Sequence, residues 1–80
     1  MQQILATSQQ LGQILQSARR QAGLTQASAA RLLGLSQSRL SQLEADPNAL
    51  QLGQLLPMLA LLGLELIVQD KPAAAKRADW

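Results

Sequence analysis

Residues 25–44, TQASAARLLGLSQSRLSQLE, predict two short helices separated by a tight turn. Thr25 and Ser36 are good helix N-caps, because a hydroxyl oxygen can accept a hydrogen bond from a backbone N–H of the first turn. Gly34 is placed to end the first of these helices. Leu35 and Leu40 form a hydrophobic staple at the start of the second. This helix-turn-helix arrangement constrains the fold more than any other part of the chain.

The flanking sequence predicts two further helices. One runs from about Ser8 to Ala22, with Thr7 as its N-cap and Gln10 as a capping-box partner. The turn at 46–48, Asp-Pro-Asn, precedes a helix from about Leu50 to Leu62. The apolar stripe expected on this last helix comprises Leu52, Leu55, Leu56, Leu59 and Leu62.

Residues 64–69 read as a β-strand, because apolar residues alternate and Ile67 and Val68 are β-branched. The sequence contains no second strand to pair with it. The simplest way to pair the backbone groups of this strand is with the same strand of a second copy, which makes a two-fold dimer. The alternative is a coil that extends the core. The residues predicted to form the dimer contact are Leu64, Leu66, Ile67 and Val68.

We therefore expect a mainly α fold of four helices with one short C-terminal β-strand that pairs across a dimer. Residues 1–69 would form the helix-turn-helix DNA-binding and dimerisation domain. Residues 70–80 would form a flexible tail, because they are Ala-rich and polar and carry no packing stripe.

The composition argues against several classes of protein. The chain of 80 residues has no Cys and no Tyr, and it also has no His, the usual general base and commonest metal ligand. We expect no enzyme, no metal, no cofactor and no small-molecule substrate. The most apolar run, Leu55 to Val68, includes Glu65 and is shorter than the roughly 20 residues that span a bilayer. The N-terminus lacks the pattern of a signal peptide, so a cytoplasmic protein is the simplest expectation.

The charges are divided unevenly along the chain. Residues 1–43 carry four Arg and no acid, whereas residues 44–70 carry four acids and no base. The basic half coincides with the predicted helix-turn-helix and favours a polyanionic partner on that side. An ordinary solvated surface would also account for four Arg.

The predicted third helix carries an arc of short and amide side chains opposite Leu40 and Leu43. The arc consists of Gln37, Ser38, Ser41 and Gln42, with Arg39 at its flank. Gln can bond adenine through two hydrogen bonds, Ser can bond a base or a phosphate, and Arg suits a phosphate or a guanine. A solvated helix face is the alternative, although such a face more often carries Lys and Glu.

Two residues outside this arc are candidates for phosphate contact. Gln26 lies in the first turn of the second helix, beside free backbone N–H groups. Arg19 either touches phosphate or pairs with Glu44, which would fix the first helix against the third. We favour the pairing, and the phosphate role stays open beside it.

Several segments resemble the Cro/repressor (XRE) helix-turn-helix family, which has the lambda-repressor-like fold. These segments are Leu24-Thr25-Gln26, Ala30, Leu33 to Ser38, Leu40-Ser41 and Leu43-Glu44. Ala29 departs from the family pattern, in which a larger apolar residue is usual, so we expect thin packing of the second helix. With the strand Gly63 to Val68, a short polar tail and Trp80, the chain is similar to HipB antitoxins.

The resemblance implies a strand-paired dimer that binds palindromic operators in its own promoter and a HipA-type kinase toxin. It adds Ser36 to the predicted DNA contacts and assigns Trp80 to the toxin contact. From the residues alone, Trp80 is either an anchor for a partner's pocket or a frayed end. Two rival functions stay open: a solitary phage-like repressor without a toxin, and a protein-interaction module that does not bind DNA.

Overall fold

Four α-helices and one short 3-10 helix make up the computed structural model, which describes residues 2–71. The α-helices are α1 (Ser8–Gln21), α2 (Gln26–Leu33), α3 (Gln37–Ala45) and α4 (Leu52–Leu61), and the 3-10 helix is Pro47–Ala49. α3 packs against both α1 and α2, and the 3-10 helix packs against α1 and α3. The expectation of a mainly α fold with four helices is confirmed.

The helix starts follow from local capping. Thr7 Oγ1 accepts from the Gln10 N–H at 3.2 Å, and Gln10 Oε1 accepts from the Thr7 N–H at 3.1 Å. Thr25 and Ser28 form the same reciprocal pair at the start of α2, with distances of 3.1 and 3.0 Å. Each pair provides acceptors for backbone donors that the helix itself leaves unpaired. The predicted capping box at Thr7 and the predicted cap at Thr25 are both confirmed.

The tight turn between α2 and α3 depends on Gly34. Its φ of 72° lies in the left-handed region, which glycine adopts without the steric cost of a Cβ. The Leu35 N–H then donates to the Ala30 carbonyl at 2.8 Å, which closes the end of α2. Ser36 follows at once as the N-cap of α3. Three residues, 34–36, therefore connect α2 to α3.

Within residues 2–71, the core is built from aliphatic side chains and one Met and holds no aromatic residue. Its buried members are Leu15, Ala29, Ala30, Leu40, Leu43, Met58 and Leu59. Ala29 lines a cavity of about 10 Å³ beside Leu33 and Met58. A space of this size holds about one water molecule, so the expectation of thin packing at Ala29 stays a prediction.

α4 differs from its prediction in both extent and orientation. It begins at Leu52 rather than Leu50, because the 3-10 helix occupies the segment before it. Leu52 and Leu56 were expected in the buried stripe but are 60% and 47% exposed, whereas Met58 is buried. That part of the predicted stripe is wrong. α4 is apolar on nearly all sides, so the sequence pattern does not determine which side faces the core.

Residues 64–71 form neither helix nor strand in the described single chain. Leu64 packs against the core, and Leu66, Ile67 and Val68 are exposed. Since a strand is completed by a neighbouring strand, and residues 2–71 offer none, the predicted strand stays a prediction tied to the dimer. Most of the predicted tail, including Trp80, lies outside the described residues.

Gly12 marks the closest approach of α1 to the end of α3. A Cβ at this position would lie 2.5 Å from the Glu44 carbonyl oxygen and 3.2 Å from Pro47 Cγ. The carbonyl belongs to the backbone and can yield only if α1 and α3 separate. The absence of a side chain at Gly12 therefore sets the spacing of these helices.

We predict that Gly12→Ala destabilises the protein by about 1–3 kcal/mol, because the added methyl forces α1 away from α3. Urea unfolding would measure the change. Gly53→Ala is the matched control, since it lies inside α4 and its Cβ would meet nothing within 4 Å. There the helix propensity of Ala should stabilise by up to about 1 kcal/mol. A stabilising Gly12→Ala would disprove the close approach.

Candidate nucleic-acid interface

α3 divides cleanly into a buried side and an exposed side. Leu40 and Leu43 are 1% and 0% exposed and lie in the core. The polar arc faces solvent, as Gln37, Ser38, Ser41 and Gln42 are all exposed, and Arg39 at its flank is half-buried. The arc predicted from the sequence is thus available to a ligand, although its contact with DNA remains a prediction.

The only acid on α3 is withdrawn from its surface. Glu44 is 4% exposed and pairs with Arg19 of α1. Arg19 Nε donates to Glu44 Oε2 at 2.8 Å and Nη2 donates to Oε1 at 3.2 Å. This two-point geometry is the strong form of a guanidinium–carboxylate contact. The outward side of α3 therefore presents no carboxylate that would repel phosphate.

Arg19 also fixes the loop before α2. Its Nη1 donates to the Leu24 carbonyl at 3.0 Å, and its own carbonyl accepts from the Leu24 N–H at 3.1 Å. Arg19 is 8% exposed. Of the two roles considered from the sequence, the structure contains the pair with Glu44. A phosphate contact by Arg19 stays a prediction.

Gln26 lies at the first position of α2 and reaches across to α3. Its Nε2 donates to Glu44 Oε1 at 3.1 Å, and the side chain is partly buried. No sequence pattern indicates this contact, because the two residues lie on different helices, 18 positions apart. The contact places Gln26 beside the helix that carries the polar arc.

Ser36 has a structural role in addition to the predicted DNA contact. Its Oγ accepts from the Arg39 N–H at 3.1 Å and caps α3. A hydroxyl can accept one hydrogen bond and still donate its own proton. Capping and a contact with phosphate are therefore compatible at Ser36.

The candidate interface is a projecting helix face rather than a pocket. A concavity of about 990 Å³ lies between α1, the segment before it and residues 62–64. None of the residues predicted to touch DNA lines it. Within residues 2–71, no group of His, Cys, Asp and Glu side chains is arranged to hold a metal ion. No helix in the same range is long and apolar enough to cross a membrane.

A known protein family and several solved structures are similar to this chain. Residues 10–68 match the family described as "Helix-turn-helix domain". No curated protein matches the chain.

Three solved structures are similar over most of the chain. A chain of a HipA-HipB-O2-O3 complex is 27% identical with a TM-score of 0.78, covering 89% of this chain and 100% of that chain. A chain described as MDT Protein gives the same values. A chain of a HipB-O1-O2 complex is 28% identical with a TM-score of 0.76, covering 86% of this chain and 100% of that chain.

Proposed function

The chain belongs to the helix-turn-helix domain family and has a HipB-type fold, and on this basis we propose that it is an antitoxin and transcriptional autorepressor. As a dimer it binds palindromic operator DNA in its own promoter. It also neutralises a kinase toxin of the HipA type. The similarity to chains of HipB-containing complexes supports both roles.

The observation that carries the DNA-binding part is the surface of α3. Its exposed arc contains amide and hydroxyl groups, and its one carboxylate is buried against Arg19. Amides and hydroxyls bond base edges without the repulsion that a carboxylate would meet from phosphate. The proposed base contacts are Gln37, Ser38, Ser41 and Gln42. The proposed phosphate contacts are Gln26, Ser36, Arg39 and Arg19.

Dimerisation would double this interface. Two copies of α3 would enter successive major grooves roughly 34 Å apart on a palindrome. Phosphate contacts supply most of the affinity, so binding should fall steeply as salt rises.

We predict that Gln37→Ala weakens binding to the promoter duplex by about 1 kcal/mol or more, because Gln37 reads a base edge. Fluorescence anisotropy on promoter and random duplexes would measure the change. Gln13→Ala, which removes an exposed amide from α1, should leave both affinities unchanged.

Equal losses on the two duplexes would contradict direct readout by Gln37. If the wild-type chain formed no complex with either duplex even at low salt, the DNA-binding proposal would be wrong. A protein-interaction module would then be the better description.

Apolar exposure at the C-terminal end of the described chain supports the dimer. Leu66, Ile67 and Val68 are 47%, 55% and 93% exposed, and they follow α4, whose Leu52 and Leu56 are also exposed. Burial of this surface would stabilise a fold whose own core is small. Pairing of residues 64–68 with the same segment of a second copy would also complete the strand's hydrogen bonds.

We predict that Val68→Asp shifts the protein from dimer to monomer, because a carboxylate would be buried at the two-fold contact. Sedimentation equilibrium would measure the molar mass. Leu32→Asp is the matched control, since Leu32 is 63% exposed on α2 and lies outside the proposed contact. A wild-type chain that stays monomeric at millimolar concentration would overturn the dimer.

The toxin contact is proposed for Trp80, the only aromatic residue of the chain. Trp is the side chain most suited to anchoring a segment in a partner's pocket. We predict that Trp80→Ala reduces co-purification with the kinase-like product of a neighbouring gene and leaves DNA affinity unchanged. If the wild-type chain and that product do not associate, a solitary repressor becomes the better description.

A further inference from the structure

Two side chains, from α1 and α2, share the carboxylate of Glu44 on α3. Glu44 of α3 accepts two hydrogen bonds from Arg19 of α1 and one from Gln26 of α2. Oε1 is the shared atom, 3.2 Å from Arg19 Nη2 and 3.1 Å from Gln26 Nε2. The Glu44 carboxylate therefore joins α3 to the first turn of α2.

This contact determines how the Gln26 amide is oriented. Nε2 must face the carboxylate, because the reverse orientation would bring the amide oxygen against an anion. An amide nitrogen carries two hydrogens, and only one of them is used by Glu44. The second N–H remains for an acceptor outside the protein, beside the free backbone N–H groups of the first turn of α2.

The contacts of Arg19 hold the Gln26 amide in this orientation and offset the negative charge of Glu44. Arg19 holds both the N–H and the carbonyl of Leu24, two residues before Gln26. Its guanidinium also neutralises Glu44, so the carboxylate does not repel an approaching phosphate. The loop that leads into α2 and the side chain of Gln26 are thus both held by this cluster before DNA arrives, which lowers the entropy lost on binding.

We propose that Glu44 is a positioning residue for DNA binding, which acts by holding the Gln26 amide ready to donate to a backbone phosphate. This inference rests on the proposed DNA-binding function and assigns to the buried pair a role in affinity as well as in folding. A purely structural role for Glu44 would lower stability and leave Gln26 energetically independent of it.

A double-mutant cycle separates these two roles. Affinity for a random-sequence DNA duplex at low salt is measured by fluorescence anisotropy for wild type, Gln26→Ala, Glu44→Gln and the double variant. Loss of a hydrogen bond to a charged phosphate should make Gln26→Ala bind about tenfold more weakly. Glu44→Gln should weaken wild type by a similar factor, and should add at most about twofold in the Gln26→Ala background.

Gln13→Ala is the matched control, since it removes an exposed amide from α1 and should not alter affinity. Glu44→Gln can also weaken folding. Affinities are therefore compared at temperatures where circular dichroism shows that each variant is fully folded. If Glu44→Gln does not fold at any temperature, NMR of the wild-type protein provides the test. The side-chain amide signals of Gln26 are identified by their loss in Gln26→Ala. One Nε2 proton should exchange more slowly with solvent than those of Gln13, and the other should shift when the DNA duplex is added.

Effects that multiply in the double variant would overturn the positioning role, as would Gln26 amide protons that exchange as fast as those of Gln13. If wild type bound no DNA while the slow Gln26 proton was present, the proposed DNA-binding function would fail, although the contact with Glu44 exists. A cycle in which the two effects overlap supports the inference.

Discussion

The ion pair between Arg19 and Glu44 joins the three helices that form the candidate nucleic-acid interface. It ties α1 to α3, and it reaches the loop before α2 through Leu24 and the first turn of α2 through Gln26. Buried pairs of this kind often add little net stability, because desolvation offsets the attraction, but losing one partner costs about 3–5 kcal/mol. The pair therefore links α1, α2 and α3 in one arrangement. It also removes the only acid of α3 from the surface.

The core that surrounds this pair is small and aliphatic. Among the residues that the structure describes, seven buried apolar residues, two of them Ala, supply it, and Ala29 lies beside a small cavity. Meanwhile Leu52, Leu56 and residues 66–68 expose apolar surface toward the C-terminal end of the described chain. A chain with a thin core and an uncovered apolar surface gains stability when a second copy covers that surface. Oligomerisation and folding would then share the same contacts, and the spacing of the two α3 helices would follow from them.

Much of the local structure was predictable because it depends on short-range chemistry. The caps at Thr7, Thr25 and Ser36 follow from a hydroxyl next to a helix start, and the end of α2 follows from a glycine at a positive φ. The polar arc of α3 was also readable, since helical spacing alone opposes Gln37 and Ser41 to Leu40 and Leu43. α4 was less readable because leucines surround it, and only packing decides that Met58 is buried and Leu52 is not. No pattern in the sequence indicates the contact between Gln26 and Glu44.

The sequence by itself determined where α1, α2 and α3 begin, where α2 ends, and which side chains of α3 face away from its apolar stripe. These properties depend on residues within about one helical turn of each other, so each segment carries its own information. Only the tertiary structure decided that Gly12 must have no side chain, that Arg19 and Gln26 share one carboxylate, and which side of α4 is buried. These outcomes depend on distances between helices, and such distances are set by the packing of the whole chain.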